Sequence, residues 1–248
     1  MGSTLLRRLA LVGCAALCMS AASVPATAKT LRFANHTWTV RPNGVGSPRT
    51  NTWCEDNAFV DGNGYLHLKL TINNGVWCAA EVISTDSMGF GTYQWQLGSR
   101  VDNLDKNVVL GLFNYPPSFV GPDGTNEIDI EFTRWGIAGA NQLNYTIFPA
   151  TKGLSETTQN FPFTMNGDYS THRFVWKKQL VRFQSSNGHY DTNALPIADW
   201  TYAPADYAQR IGSAPVPVRM NIWKTDVPTN GQAVEIVISS FTFTPGAP

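Results

Sequence analysis

Leu66-His67-Leu68-Lys69-Leu70-Thr71-Ile72, closed by Asn73-Asn74-Gly75, sets the rhythm of the chain. Apolar and polar side chains alternate with a period of two. Leu66, Leu68, Leu70 and Ile72 therefore share one face of a strand, and His67, Lys69 and Thr71 share the other. The same alternation returns where Tyr93, Trp95 and Leu97 oppose Thr92, Gln94 and Gln96, and where Val216, Val218, Met220 and Ile222 oppose Arg219, Asn221 and Trp223. Phe174 and Trp176, then Val181 and Phe183, frame a hairpin at Lys177-Lys178-Gln179. Val234, Ile236 and Ile238 keep one phase while Phe241 and Phe243 fall in the other, which predicts a bulge at Ser239-Ser240. The continuous apolar run from Val108 to Phe113 predicts a strand covered on both faces.

Turn residues punctuate these segments, as in Asp61-Gly62-Asn63-Gly64, Pro122-Asp123-Gly124, Asn166-Gly167-Asp168 and Asn187-Gly188. No window carries a long amphipathic helix. Many short strands between Gly, Pro and Asn turns make the chain all-β, an antiparallel β-sandwich or barrel. With no linker, charge block or internal repeat, residues 29–248 read as one domain. Residues 186–207, poor in strand pattern, read as a long ordered loop of the kind that serves a site.

The 248 residues are 43% hydrophobic and 12% aromatic, ample for a buried core, which excludes disorder and collagen-like repeats. Arg7 and Arg8, the apolar stretch Leu9 to Leu17 and Ala26-Thr27-Ala28 read as a bacterial-type export signal over residues 1–28, giving a secreted or periplasmic protein. The apolar stretch is too short for a membrane span. Lipoprotein processing at Cys14, in Leu11-Val12-Gly13-Cys14, ranks second because little apolar stretch precedes it. Cations and acids number 18 each; loss of Arg7 and Arg8 leaves 16 against 18, so no positive field exists to hold nucleic acid. A monomer with no membrane or nucleic-acid partner is expected. Only Cys54 and Cys78 remain after export, and in an oxidising compartment they are expected to pair. Buried free thiols or half of a metal site are the alternatives, although no Cys-x-x-Cys or flanking His supports zinc.

Asn126-Glu127-Ile128-Asp129-Ile130-Glu131-Phe132 carries the chemistry. As a strand it sets Glu127, Asp129 and Glu131 on one face and Ile128, Ile130 and Phe132 on the other. Three carboxylates in a row repel one another and are poor strand formers, so the pattern costs stability unless it is used. Residues four apart have Cα atoms about 13 Å apart, and inward-leaning Glu side chains bring the two outer carboxyls to about 5–5.5 Å, the spacing of a retaining glycoside hydrolase. A solvated face or a calcium site is the alternative.

Glu127-Ile128-Asp129-Ile130-Glu131-Phe132 resembles the active-site strand of glycoside hydrolase family 16, in particular its bacterial lichenase branch. Asn51-Thr52-Trp53-Cys54, Cys78-Ala79-Ala80-Glu81, Gly89-Phe90-Gly91-Thr92-Tyr93, Gln142-Leu143-Asn144-Tyr145 and Met220-Asn221-Ile222-Trp223 resemble further segments of that family in the same order. The resemblance implies a jelly-roll, concanavalin-like sandwich with a concave substrate cleft, a polysaccharide partner and no cofactor. It makes Glu127 the nucleophile, Glu131 the general acid and base, and Asp129 their helper. Glu81, Asn144, Asn221 and Trp223 become substrate-binding positions, and the Cys54–Cys78 pair matches the family's disulfide. Trp135 would close one end of the cleft; packing is the other reading for both tryptophans.

Departures from the lichenase pattern stand at Ile83, where the branch has an arginine that contacts sugar, at Thr125, where it has a tryptophan, and at Ser239, where an aspartate helps hold calcium. Cys78 is also one residue out of register with Glu81. These changes leave the acidic strand intact and open the substrate to β-1,3-1,4-glucan, β-1,3-glucan or another polysaccharide. Other classes stay in view: a transglycosylase of the same fold, a lectin-like binder that does not cut, and a structural envelope protein. No Gly-x-Ser-x-Gly or phosphate loop is present, and His36, His67, His172 and His189 lack metal-ligand spacing. His172 reads as structural.

Overall fold

A computed structural model describes residues 28–248. The expected export segment, Cys14 included, lies outside the described residues except for Ala28. Among the described residues no helix is long and apolar enough to cross a membrane.

Two antiparallel sheets face each other. The concave sheet runs, edge to edge, through Thr30–Phe33, His36–Val40, Val76–Met88, Val216–Lys224, Val108–Asn114, Ile128–Phe132, Leu143–Ile147 and Thr157–Phe161. The convex sheet runs through Ala58–Val60, Leu66–Asn73, Val234–Pro245, Gly91–Leu97, Ser170–Trp176, Val181–Asn187 and Pro196–Tyr202. This is the jelly-roll sandwich expected, and it presents a concave face. Among the described residues helix is limited to short turns such as Tyr207–Arg210.

Alternation explains the core. Leu66, Leu68 and Leu70 are fully buried, as are Tyr93, Trp95 and Leu97, and Val216, Val218, Met220 and Ile222. Each such side chain contributes about 1.5–3 kcal/mol on burial. Trp38, Trp95, Trp176, Phe132, Phe174 and Phe183 fill the space between the sheets. The bulge appears between Ile238 and Ser240, which moves Phe241 inward, and the hairpin closes with the Lys177 N–H donating to the Leu180 carbonyl.

Three expectations change. Ile72 is 48% exposed, because by that point its strand has left the sandwich and pairs only across the Asn74-Gly75 turn with Trp77. Both turn residues have positive φ, which Asn and Gly tolerate. Val108–Asn114 is buried throughout but not covered by core on both faces: Leu110 and Leu112 face the core, while Gly111 and Phe113 pave the cleft floor. Residues 186–207 are not a long loop. Pro196–Tyr202 is an edge strand of the convex sheet, with Trp200 stacked on Phe183 and Arg182 paired to Asp199. An edge strand is half wetted, and its polar residues hid the alternation.

Val76–Met88, 13 residues long, belongs to both sheets. Its start pairs with Leu66–Asn73 and, in the one parallel ladder among the described residues, with Thr52 and Trp53; its remainder enters the concave sheet. Cys54 and Cys78 are bonded at that junction, across a separation of 24 residues. A loop of this size is worth on the order of 3 kcal/mol in the chain-entropy account. Unfolded, unreduced mature protein should therefore show no labelled thiol. The double Cys→Ser variant should melt roughly 6–12 °C lower, and an unchanged melting temperature would remove the bond from the list of stabilising features.

Candidate active site

Neighbouring strands of the concave sheet set cleft-facing residues in rows, because register partners share a face. One row reads Asn144, Glu131, Gly111, Asn221, Glu81 across five strands. The next reads Thr146, Asp129, Phe113, Arg219, Ile83. Glu127 follows just before the strand proper, where its carbonyl accepts from the Phe148 N–H, and Tyr115 lies alongside. Ile128, Ile130 and Phe132 are buried in the core, so the three acids have no other face to occupy.

These rows floor a cleft of about 520 Å³ that holds Glu127, Asp129, Glu131, Glu81, Asn221, Trp223 and Trp135 together. Gly111 is required at its centre: a Cβ there would come within 2.7 Å of the Asn221 Oδ1 and 3.3 Å of the Phe113 ring. Trp135 has a positive φ of 52° and is 42% exposed, and its ring leans on Trp223 with centroids 6.1 Å apart. The two indoles form one wall. Asn144 belongs to the first row but not to the cleft wall. It is buried, and its amide donates to the carbonyls of Thr133 and Gln142, each at 3.0 Å, which leaves it bracing the turn after the acidic strand.

The acids are strongly coupled. Burial, then the charge of Glu131, pushes the Glu127 carboxyl up to about 8, against a hydrogen bond from Asp129 and the positive charge of Arg219. Burial pushes Glu131 up to about 7. Asp129 is raised well above the carboxylate range by burial and then by both neighbours' charges. A hydrogen bond between two carboxyls needs a proton on one, and Asp129 is the one raised by it, so protonated Asp129 donates to Glu127. Its Oδ1 has no other partner. Protons therefore belong to the trio rather than to single oxygens.

Arg41, Arg219 and Tyr115 were not singled out from the sequence as site residues, and the two arginines meet at Glu81, which was. Glu81 is buried, with Arg41 Nη1 at 3.5 Å and Arg219 Nη1 at 3.4 Å from its Oε1, and the Asn221 Nδ2 donating to its Oε2 at 3.1 Å. Arg41 lies over the Trp53 ring and Arg219 over the Tyr115 ring, at 3.9 and 4.2 Å. Tyr115 donates to Asp123, and both line the cleft from the 114–126 loop, whereas residues 186–207 line none of it. Arg219 was legible as the outward partner of Asn221 and Trp223 in their alternation. Arg41 and Tyr115 had no local signal.

Ile83 faces Arg219 in register, Thr125 is buried with its hydroxyl donating to the Pro122 carbonyl, and the Ser239 hydroxyl donates to the Gln96 carbonyl. Ser239 offers only a neutral hydroxyl oxygen, a weaker calcium ligand than a carboxylate, and spends its proton on the backbone. His172 is fully buried between the Ser170 and Ser185 hydroxyls, and burial lowers it to about 3, a structural histidine.

The fold compares with solved structures over most of its length. A Bacillus licheniformis β-glucanase is 20% identical with a TM-score of 0.62, over 90% of this chain and 100% of that one. A glycoside hydrolase family 16 endo-glucanase from Bacteroides ovatus is 13% identical at 0.62, over 84% and 94%. A laminarinase from Flavobacterium is 13% identical at 0.63, over 83% and 92%. The fold is that of the family 16 glucanases. No family model and no curated protein matches the sequence. The glucanase fold thus persists here with little sequence identity to hold it.

A carboxyl whose folded pKa lies above its unfolded value binds more protons in the native state. Across the window from about 4.5 to about 8 stability then falls as pH rises. Glu127→Gln removes one of the crowded charges. Its melting temperature should match wild type near pH 4 and exceed it progressively toward pH 8, by about 2–4 °C for each kcal/mol relieved. An equal gain at both pH values would rule out this electrostatic cause.

Proposed function

We propose that the chain is an exported endo-acting glycoside hydrolase that cuts internal bonds of a β-1,3-1,4- or β-1,3-glucan with retention. The observation that carries the reading is the Glu127, Asp129, Glu131 trio on the floor of an open, tryptophan-walled cleft. A lectin-like binder has no use for carboxyls crowded enough to share protons. The glucanase fold and the export-type leader support the same reading.

The chemistry follows from the trio. The productive arrangement of the trio's protons has one on Glu131 and none on Glu127, both carboxyls being raised into the neutral range, and Glu131 gives its proton to the glycosidic oxygen as that bond breaks. Glu127, ionised, attacks the anomeric carbon and forms a glycosyl-enzyme. Glu131, now a carboxylate, takes a proton from the water that releases the sugar and returns Glu127 to its charged form. Asp129, by donating to Glu127, stabilises the charge the nucleophile carries before and after. Trp223 and Trp135 give apolar faces to sugar rings, while Glu81 and Asn221 meet hydroxyls.

A reducing-end assay over β-1,3-1,4-glucan, β-1,3-glucan, galactan and cellulose tests the activity. Glu127→Gln should lower kcat by roughly 10³-fold or more while glucan binding persists. Wild-type turnover in that variant would exclude Glu127 as nucleophile. Proton NMR of the nascent reducing end should show the β anomer first, and α product first would sink double displacement. The kcat/KM profile should be bell-shaped, with both limbs belonging to the coupled trio and lying in the neutral range.

A further inference from the structure

Arg219 is held in a way that structural packing does not explain. It stands in the cleft row of Asp129 and Phe113, one row from Asn221. The Tyr115 ring supports one face of its guanidinium, and Nη1 points to Glu81 at 3.4 Å. Its Nε is buried with no hydrogen-bond partner, and the Oδ1 of neighbouring Asn221 is in the same condition. A buried donor without a partner is costly. Arg219 and Asn221 line the same cleft, two residues apart on one strand face, and an unpaired donor and an unpaired acceptor there match the two hydrogen-bonding roles of a ligand's hydroxyl groups.

The charge of Arg219 has a second use. Around Glu127 are Asp129 and Glu131 on its own segment and Tyr115 and Asp123 from the preceding loop; Glu156 also lines the cleft, and Arg41 and Glu81 stand beyond Arg219. Arg219 is the cation whose charge favours the ionised form of Glu127.

We infer that Arg219 is a further catalytic residue, donating from Nε to a hydroxyl of the sugar bonded at Glu127 and supplying the positive charge opposite the Glu127 carboxylate. The inference rests on the hydrolase reading. It identifies the sugar beside Glu127 as a neutral ring offering a hydroxyl able to accept from Arg219 and donate to Asn221 Oδ1.

Arg219→Met and Arg219→Lys separate the two tasks. In Arg219→Met the acid limb of kcat/KM should move up by about one pH unit, since a cation no longer favours the carboxylate, and kcat/KM at neutral pH should fall about 100-fold. Arg219→Lys keeps the charge and loses the Nε donor. Its acid limb should stay near wild type while kcat/KM remains at least about 10-fold down. An unmoved acid limb in Arg219→Met, or full recovery in Arg219→Lys, overturns the inference; the lysine variant decides if the methionine variant does not fold. Failure of the parent reading is distinct: wild type would then cut no glycan. In that event the pH dependence of melting still reports on Glu127. It should shift to higher pH in Arg219→Met and not in Arg219→Lys, and superimposable curves would overturn the charge assignment.

Discussion

Three like charges on one strand face are tolerable only because the opposite face is locked. Ile128, Ile130 and Phe132 are buried against the convex sheet, and at about 1.5–3 kcal/mol each they hold the acids on the cleft face. A slip of one residue would exchange the two faces, putting three carboxyls into hydrocarbon and three apolar groups into the cleft. Register here is therefore the constraint on which the site depends. The crowding that remains is relieved by protons, with Asp129 protonated and donating to Glu127. A strand that would be unstable when fully ionised becomes a store of protons at neutral pH.

The second half of the site is held by opposite means. Glu81 lies on Val76–Met88, three residues beyond Cys78, and Arg41, just past the end of His36–Val40, and Arg219, on Val216–Lys224, converge on it from either side. The disulfide and the parallel ladder to Thr52 and Trp53 fix where that long strand leaves the convex sheet and enters the concave one. Placement of Glu81, and through it of Arg219 and Asn221, is thus tied to a covalent anchor at the sheet junction. Ile83 in register with Arg219 adds a further point: the guanidinium in this row comes from Val216–Lys224 and not from Val76–Met88.

Much of this was legible from the sequence where a residue's role follows from its own strand. The alternations around Leu66, Tyr93 and Val216, the bulge at Ser239-Ser240 and the acidic face of residues 127–131 are all local statements, and the structure has each of those features. What was missed depends on partners distant in sequence. Pro196–Tyr202 has one pairing neighbour, so its outward residues could be polar and its pattern looked like loop. Val108–Asn114 looked doubly covered because a cleft floor of Gly111 and Phe113 is as apolar in sequence as a core. Asn144 sits in the acid row yet spends its amide on Thr133 and Gln142, which spacing does not reveal. Arg41 meets Arg219 only across 178 positions of chain, through Glu81.

The charge inventory of the cleft carries consequences for what can lie in it. Glu81, Asp123, Glu127, Asp129, Glu131 and Glu156 line it, against Arg41 and Arg219. Both arginines are engaged by Glu81, and Arg219 also serves Glu127, so neither is free to neutralise a charge brought by a ligand. A polymer carrying sulfate or carboxylate groups would add like charge to a partly desolvated acidic floor, where screening is weak. That repulsion discriminates against anionic chains without any contact designed for the purpose. A neutral chain meets no such cost. It can lay apolar ring faces on Trp223 and Trp135 and offer hydroxyls to the open Nε of Arg219 and Oδ1 of Asn221. On the hydrolase reading proposed above, the crowded acids thereby also favour an uncharged substrate.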